Sequence, residues 1–256
     1  MTRRPRRPRA KAVPARRFWD ALTDYEQEIR SIFATDNVVT AALAAVPDKA
    51  DKVVGDFGCG PGNAFPHLRD FRRVYGVDYS ENMLGQAREK RQPNVELLQG
   101  RIEDMRLPEP CDLCLALASL MPMNLVHFHQ MLDNLLSNTR ENGQLMTVLP
   151  SLEFRTFAFQ LEVDILADQG RDPADIVRAL RKQIEAYQFN PLGYMLTDGG
   201  LVQKAWLREE IAYRLEKYGF KAVEIRKLEL DWERQIKRPD LGHLPRPWLW
   251  FVHITR

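Results

Sequence analysis

The chain is poor in cysteine, with three in 256 residues. Three thiols cannot form a paired framework, which excludes a disulfide scaffold and points to a reducing, cytoplasmic setting. No run of about 18 apolar residues is present, so no segment is expected to span a membrane. The first 17 residues contain no acid and no apolar core, which excludes a secretory signal there. Their prolines at 5, 8 and 14 oppose the amphipathic helix of a transit peptide. Internal repeats are absent. The sequence also lacks the metal-ligand spacing of a zinc site: Cys111 and Cys114 form one CxxC with no second pair or histidine cluster. They lie in the apolar run CDLCLALASL, where strand alternation would send them to opposite faces as small core residues.

What is present is an ordinary globular composition, 45% apolar and 28% charged. The charge is unevenly placed. Arg3, Arg4, Arg6, Arg7, Arg9, Lys11, Arg16 and Arg17 face no acid within residues 1–17, while the whole chain is only +2. The remainder is therefore net acidic, and residues 1–17 read as a disordered basic arm. Such an arm could touch RNA or an acidic surface, but an acidic body makes a poor nucleic-acid groove.

From Phe18 the pattern is helical, with Phe18, Trp19, Leu22, Tyr25, Ile29 and Ile32 on one stripe. NVVTAALAAV is a second helix. Residues 52–150 then alternate apolar strands with helices: KVVGDF, a helix over NAFPHLRDF with Pro66 in its first turn, RVYGVDYS, a helix capped by Ser80, VELLQG, CDLCLALASL, a helix over NLVHFHQMLDNLLSNTR closed by ENG, and QLMTVLP. This is the pattern of a doubly wound, mostly parallel α/β sheet with helices on both faces. After Pro150 the alternation breaks into helices, a hairpin turning at Asp198–Gly200, an amphipathic helix ending at Gly219 and two final strands.

The chemistry concentrates in DFGCGPGN. A glycine turn between a strand and a helix lies where open parallel sheets bind ligands. A dinucleotide turn wants GxGxxG, but Asn63 stands after Gly62, so an NAD-dependent oxidoreductase is disfavoured. No Lys-Ser/Thr follows, so it is not a P-loop. The spacing D-x-G-x-G-x-G, carried by Asp56, Gly58, Gly60 and Gly62, resembles motif I of the class I S-adenosylmethionine-dependent methyltransferases. Asp78 at the end of the next strand, the continuation DYSENML, GRIEDMRLP, CDLCLALASL and LLSNTRENGQLMTV follow in the order of that family.

The resemblance implies a single domain over 18–256, with a seven-stranded sheet, an antiparallel last strand and a substrate cap at about 151–205. It implies S-adenosyl-L-methionine as cofactor. Asp56, Gly58, Cys59, Gly60 and Gly62 would face its amino-acid end, with the Gly58–Gly60 backbone towards the ligand and Asp56 holding the turn or the ammonium. Asp78 would grip the ribose, with Tyr79 and Met83 beside it. Arg101, Ile102 and Glu103 would lie at the adenine, and Ser119 beside the reacting centre. Arg101 stands where the family commonly has Asp, which moves the adenine acceptor role to Glu103 or Asp104.

The acceptor is less legible. The segment ASLMPMN lacks the N/D-P-P-Y/F signature of amine-directed members, and Cys114 sits inside a strand. His127 is the candidate base; His127 and His129, two apart on a helix, do not share a face. Tyr25, Met121 and Tyr194 are candidate acceptor contacts. An aromatic-rich cap (Phe154, Phe157, Phe159, Tyr187, Phe189, Trp206) favours a small, partly apolar acceptor. Two other readings stay open: an RNA or protein methyltransferase docking through the arm, and a methyltransferase-like binding protein without turnover. The oligomeric state is not legible.

Overall fold

The computed structural model describes residues 12, 14–21, 32–33, 36–197, 200–220, 223–236 and 238–256. Nine strands are described: β1 Val53–Phe57, β2 Arg73–Asp78, β3 Val95–Gln99, β4 Cys111–Leu117, β5 Thr139–Pro150, β6 Tyr194–Leu196, β7 Val202–Lys204, β8 Val223–Glu229 and β9 Trp248–Thr255. Seven join one sheet in the order β3-β2-β1-β4-β5-β9-β8. β3, β2, β1, β4 and β5 pair in parallel, whereas β9 runs antiparallel to both β5 and β8. β6 and β7 form a separate hairpin. β1 is buried along its full length, as a central strand covered on both faces must be.

Among the described residues the helices are α1 Ala15–Asp20, α2 Val38–Ala44, α3 Glu81–Arg88, α4 Leu125–Asn138, α5 Leu152–Asp168, α6 Pro173–Tyr187 and α7 Arg208–Lys217. They start where local chemistry allows. The Asn37 side chain caps α2 in a reciprocal box with Thr40, and Ser80, Asn124, Ser151 and Asp172 each accept from the first turn of the helix they precede. Gly219, at φ +87°, follows the end of α7. α4 and α7 put Phe128, Leu132, Leu135, Ile211 and Leu215 onto one face of the sheet. α2, α3 and the turn after β1 put Val39, Leu43, Leu84, Phe65 and Leu68 onto the other.

Three local expectations change. The helix expected over NAFPHLRDF is a single 3₁₀ turn, Phe65–His67, with Pro66 in it. Phe65 and Leu68 are drawn into the core, and only five residues separate His67 from Arg73 at the start of β2. The turn ENG after α4 lies inside β5, which begins at Thr139 directly after the helix. The β4–β5 pairing shifts between Cys111 and Leu113, with Asn142 at φ +62°. That irregularity also overturns the expected divergence of the two cysteines. Cys111 and Cys114 share one core face with their sulfurs 2.9 Å apart. An unbroken pleat would have separated them.

Part of the N-terminal helical stripe, including Leu22, Tyr25 and Ile29, lies outside the described residues. What is described packs near the end of β2: the Ser80 hydroxyl donates to Asp20 Oδ1 at 2.6 Å, and α1 contacts α3.

Candidate active site

The turn after β1 is tight because its glycines all lie at positive φ: Gly58 at +76°, Gly60 at +55° and Gly62 at +77°. At Gly58 space is limiting as well. A Cβ there would run into the Ser119 side chain, whose hydroxyl donates to Phe57 O at 2.7 Å. Glycine thus lets the end of β4 close onto the end of β1.

The backbone donors of this turn are already used. Gly58 N and Cys59 N donate to Val77 O at 2.7 and 2.9 Å, and Gly60 N donates to Asp78 Oδ2 at 3.0 Å. The expectation that these groups face a ligand is therefore corrected for their N–H bonds, and an anion cradle is excluded with it. The site presents carboxylates instead. Asp78 Oδ1 accepts from Ser80 N at 2.9 Å, so both oxygens of Asp78 are oriented by backbone N–H groups from two elements. Burial nevertheless raises its pKa, against the hydrogen bonds from Ser80 and Gly60.

Asp56 is more extreme. It is 3% exposed, and its Oδ2 is buried without a hydrogen-bond partner among the described residues. Burial, then the nearby Asp78 charge, push its pKa up to about 7. Holding the turn does not account for that oxygen. A buried, unpartnered carboxylate beside another carboxylate is suited to meeting a cation. An ammonium end on Asp56 and a hydroxylated ring at Asp78 fit this donor-poor, acceptor-rich turn. Cys59 is buried, and burial with the two aspartates raises its thiol pKa, leaving it a packing residue. Met83 is buried, and Tyr79 is half-buried with its hydroxyl pKa raised by burial and by Asp78.

The loop after β3 carries Arg101, Ile102 and Glu103. Arg101 Nε donates to Glu103 Oε1 at 2.6 Å, and His127 Nε2 lies 3.4 Å from the same oxygen. Burial raises the Glu103 carboxyl, but its own backbone N–H and then Arg101 outweigh this and hold it below its usual range. Two side chains that sequence reasoning missed position this loop. Asn134 Nδ2 donates to Ile102 O at 2.7 Å and Met105 O at 2.8 Å, and Asn138 accepts from Leu107 N and donates to Met105 O. The two asparagines are four apart on α4, hence on one helix face, and both are buried. Polar residues at apolar-face positions were the available signal.

His127 is held from two sides. Its backbone N–H meets the Asn124 cap, and its Nδ1 accepts from Met123 N at 3.2 Å. Beside it opens a cleft of about 950 Å³. The loop after β3, the start of α4, Leu152 at the start of α5, the β6–β7 hairpin and α7 bound it. Arg101, Glu103, His127 and Tyr194 line it. Asp56, Asp78 and Ser119 lie outside it, and Met121, half-buried after β4, does not line it either. Tyr25 is outside the described residues. The cap aromatics mostly pack on structure: Phe154 and Phe157 on Trp248, Phe159 on Phe189, and Trp206 on Phe128 at 4.6 Å.

Lys204 was not foreseen at the cleft. It is 2% exposed, with its ammonium 4.3 Å from the Trp206 ring centroid, and it donates to Leu192 O at 2.7 Å and Glu210 Oε2 at 3.0 Å. Burial lowers its pKa against the pull of Glu210. Among the described residues no His, Cys, Asp and Glu cluster could hold a metal, and no helix is long and apolar enough to cross a membrane.

Residues 54–143 match a family model described as a methyltransferase domain. Trans-aconitate 2-methyltransferase of Escherichia coli O139:H28 (strain E24377A / ETEC) is 30% identical over 167 residues, 62% of this chain and 65% of that protein. The chain thus matches a little under two thirds of that relative's length. The same-named protein of Rhodopseudomonas palustris (strain BisB5) is 35% identical over 113 residues, 42% of each chain. Among solved structures, Burkholderia thailandensis 1,6-didemethyltoxoflavin-N1-methyltransferase with bound 1,6-didemethyltoxoflavin and S-adenosylhomocysteine superposes with a TM-score of 0.59 at 14% identity, over 94% of this chain and 88% of that one. At that identity the likeness is one of fold.

Proposed function

We propose that this chain, a member of the class I S-adenosylmethionine-dependent methyltransferases, moves a methyl group from S-adenosyl-L-methionine to a small-molecule acceptor. The observation that carries the reading is the pair of buried carboxylates at the glycine turn. Asp56 has an unpartnered oxygen, and Asp78 is aimed by Gly60 N and Ser80 N. The bound cofactor supplies an electrophilic methyl on a sulfonium. Asp56 would hold the ammonium of its amino-acid end, a cation that favours its ionised form. Asp78 accepts from the ribose hydroxyls in charge-assisted bonds. Ile102 and Glu103, on the loop pinned by Asn134, border the adenine. Ser119 and Met121 lie where β4 ends, and the cleft would hold and orient the acceptor.

His127 stands at the cleft wall as a candidate base, but its Nδ1 lone pair accepts from Met123 N and its Nε2 faces Glu103, so it takes a proton only when the Met123 N–H bond opens. A small acceptor is favoured by the size of the cleft and by relatives whose names specify small molecules. We place the work in the cytoplasm, in keeping with three free thiols. The organisation into a basic arm, one catalytic domain and a cap at about 151–205 belongs to the same proposal.

Titration calorimetry with S-adenosylmethionine and S-adenosylhomocysteine tests it. Both should bind at micromolar levels, and Asp78→Ala should weaken binding by more than about tenfold, about 1.4 kcal/mol, while the far-ultraviolet circular dichroism stays unchanged. Absence of binding by either compound overturns the reading. Unchanged turnover after removal of residues 1–17 would remove the alternative in which the arm docks RNA or protein.

A further inference from the structure

The cleft is electrically polarised. At its loop end, Arg101 stands against Glu103 and Asp104, an excess of negative charge. At its inner end, Lys204 and Arg214 share a single acid, Glu210. Lys204 donates to one of its oxygens at 3.0 Å, and Arg214 Nε and Nη2 donate to the other at 3.0 and 2.8 Å. This is more than a helix-surface pair. The Arg214 and Glu210 side chains are only 18% and 20% exposed, and the third member is buried. One positive charge is left over in a half-desolvated place, where it is costly without an anion. The N–H bonds of Lys204 go to Leu192 O, Ala205 O and Glu210, so it contributes charge. The Nη1 edge of Arg214 has no hydrogen-bond partner among the described residues and is the donor that remains.

The rest of the cleft is mostly apolar, with Asn124, His127, Gln130 and Tyr194 as its polar side chains. Met123, Val126, Leu192 and Leu207, all on its wall, are 65%, 68%, 70% and 42% exposed. They form much of the large apolar side-chain surface left in solvent among the described residues, and their gathering on one concavity marks a ligand surface.

We infer that the cleft takes a small amphipathic monocarboxylate, its anionic head against Arg214 and Lys204 and its apolar body along Leu192, Leu207 and Val126. A single surplus charge and one free guanidinium edge match a monoanion. Reading this ligand as the methyl acceptor rests on the proposed function; its binding does not.

The test is calorimetric titration of the full chain with octanoate, octanol and octylamine, each with and without S-adenosylhomocysteine. Octanoate should bind at least about tenfold more tightly than octanol, and octylamine more weakly than either. Arg214→Gln should erase the preference for octanoate over octanol and leave octanol binding within about twofold. Because Lys204 is buried and Lys204→Met could disturb the hairpin, Arg214→Lys serves as the second variant and should keep part of the preference. Octanol binding as tightly as octanoate, absence of octanoate binding, or a preference that survives Arg214→Gln overturns the inference. Absence of an octanoate preference in the unaltered chain, with normal S-adenosylhomocysteine binding, sinks this site alone. The converse sinks the methyltransferase reading alone.

Discussion

The glycine turn and the cleft are built in opposite ways. The turn joins residues 56–62 to the tip of the neighbouring strand at Asp78, and its key bonds run backbone to backbone or backbone to carboxylate. The cleft draws on five separated segments and depends on side chains from β7, α7 and α4. A site made from backbone geometry tolerates little change, because glycine conformation and close approach leave no slack. One made from side chains on distant elements can be retuned residue by residue. The first therefore suits a ligand that stays constant, and the second suits one that varies.

The sharpest way to break this contrast is Gly58→Ala. The new methyl meets Ser119 and occupies a positive-φ position, so cofactor binding should fall by about a hundredfold or more by calorimetry. Octanoate binding in the cleft should hold within about threefold. Equal losses at both places would mean that the two regions are one unit.

A second test follows from pH. Folding raises the Asp56 pKa from 3.8 to about 7, so between those values the folded protein keeps a proton that the unfolded chain has released. Stability without cofactor therefore falls as pH rises through that window, by an amount on the order of 4 kcal/mol for this group. Cofactor affinity moves the other way, rising from pH 6 to 8 as Asp56 ionises to meet the ammonium. Asp56→Asn should flatten both profiles, measured by urea unfolding and calorimetry. A cofactor affinity that falls across that range would contradict the role given to Asp56.

The mildest test concerns the border between the regions. Asn134→Ala frees the carbonyls of Ile102 and Met105 and should cost about 1–3 kcal/mol in urea unfolding. It should weaken S-adenosylhomocysteine several-fold while leaving Asp78-dependent binding measurable. An unchanged affinity would mean that the loop needs no pin.

Much of the first region was legible in the sequence because its information is local. The spacing of Gly58, Gly60 and Gly62, the acid at Asp56 and the strand-ending Asp78 all lie within short stretches whose geometry the chain dictates. Even there, the N–H groups expected to face a ligand turned out to be bonded to Val77 and Asp78. The helix over NAFPHLRDF shrank to one turn because the path to β2 was too short, and the two cysteines met because the β4–β5 pairing is irregular. Asn134, Asn138 and Lys204 could not be assigned to the site from spacing. Their partners lie 32, 33 and 12 residues away for Ile102, Met105 and Leu192 respectively.

The sequence by itself determined the alternation of strand and helix, the glycine turn and the acid on the next strand. Those depend on periodicity, on backbone conformations open to glycine and on separations of a few residues. Only the tertiary structure decided that Asp56 is left with an unpartnered oxygen, that Asn134 holds the loop after β3, and that Lys204, Glu210 and Arg214 face an apolar cleft. Burial, hydrogen-bond partners and surplus charge are properties of what surrounds a residue, and those surroundings come from parts of the chain that meet only when it folds.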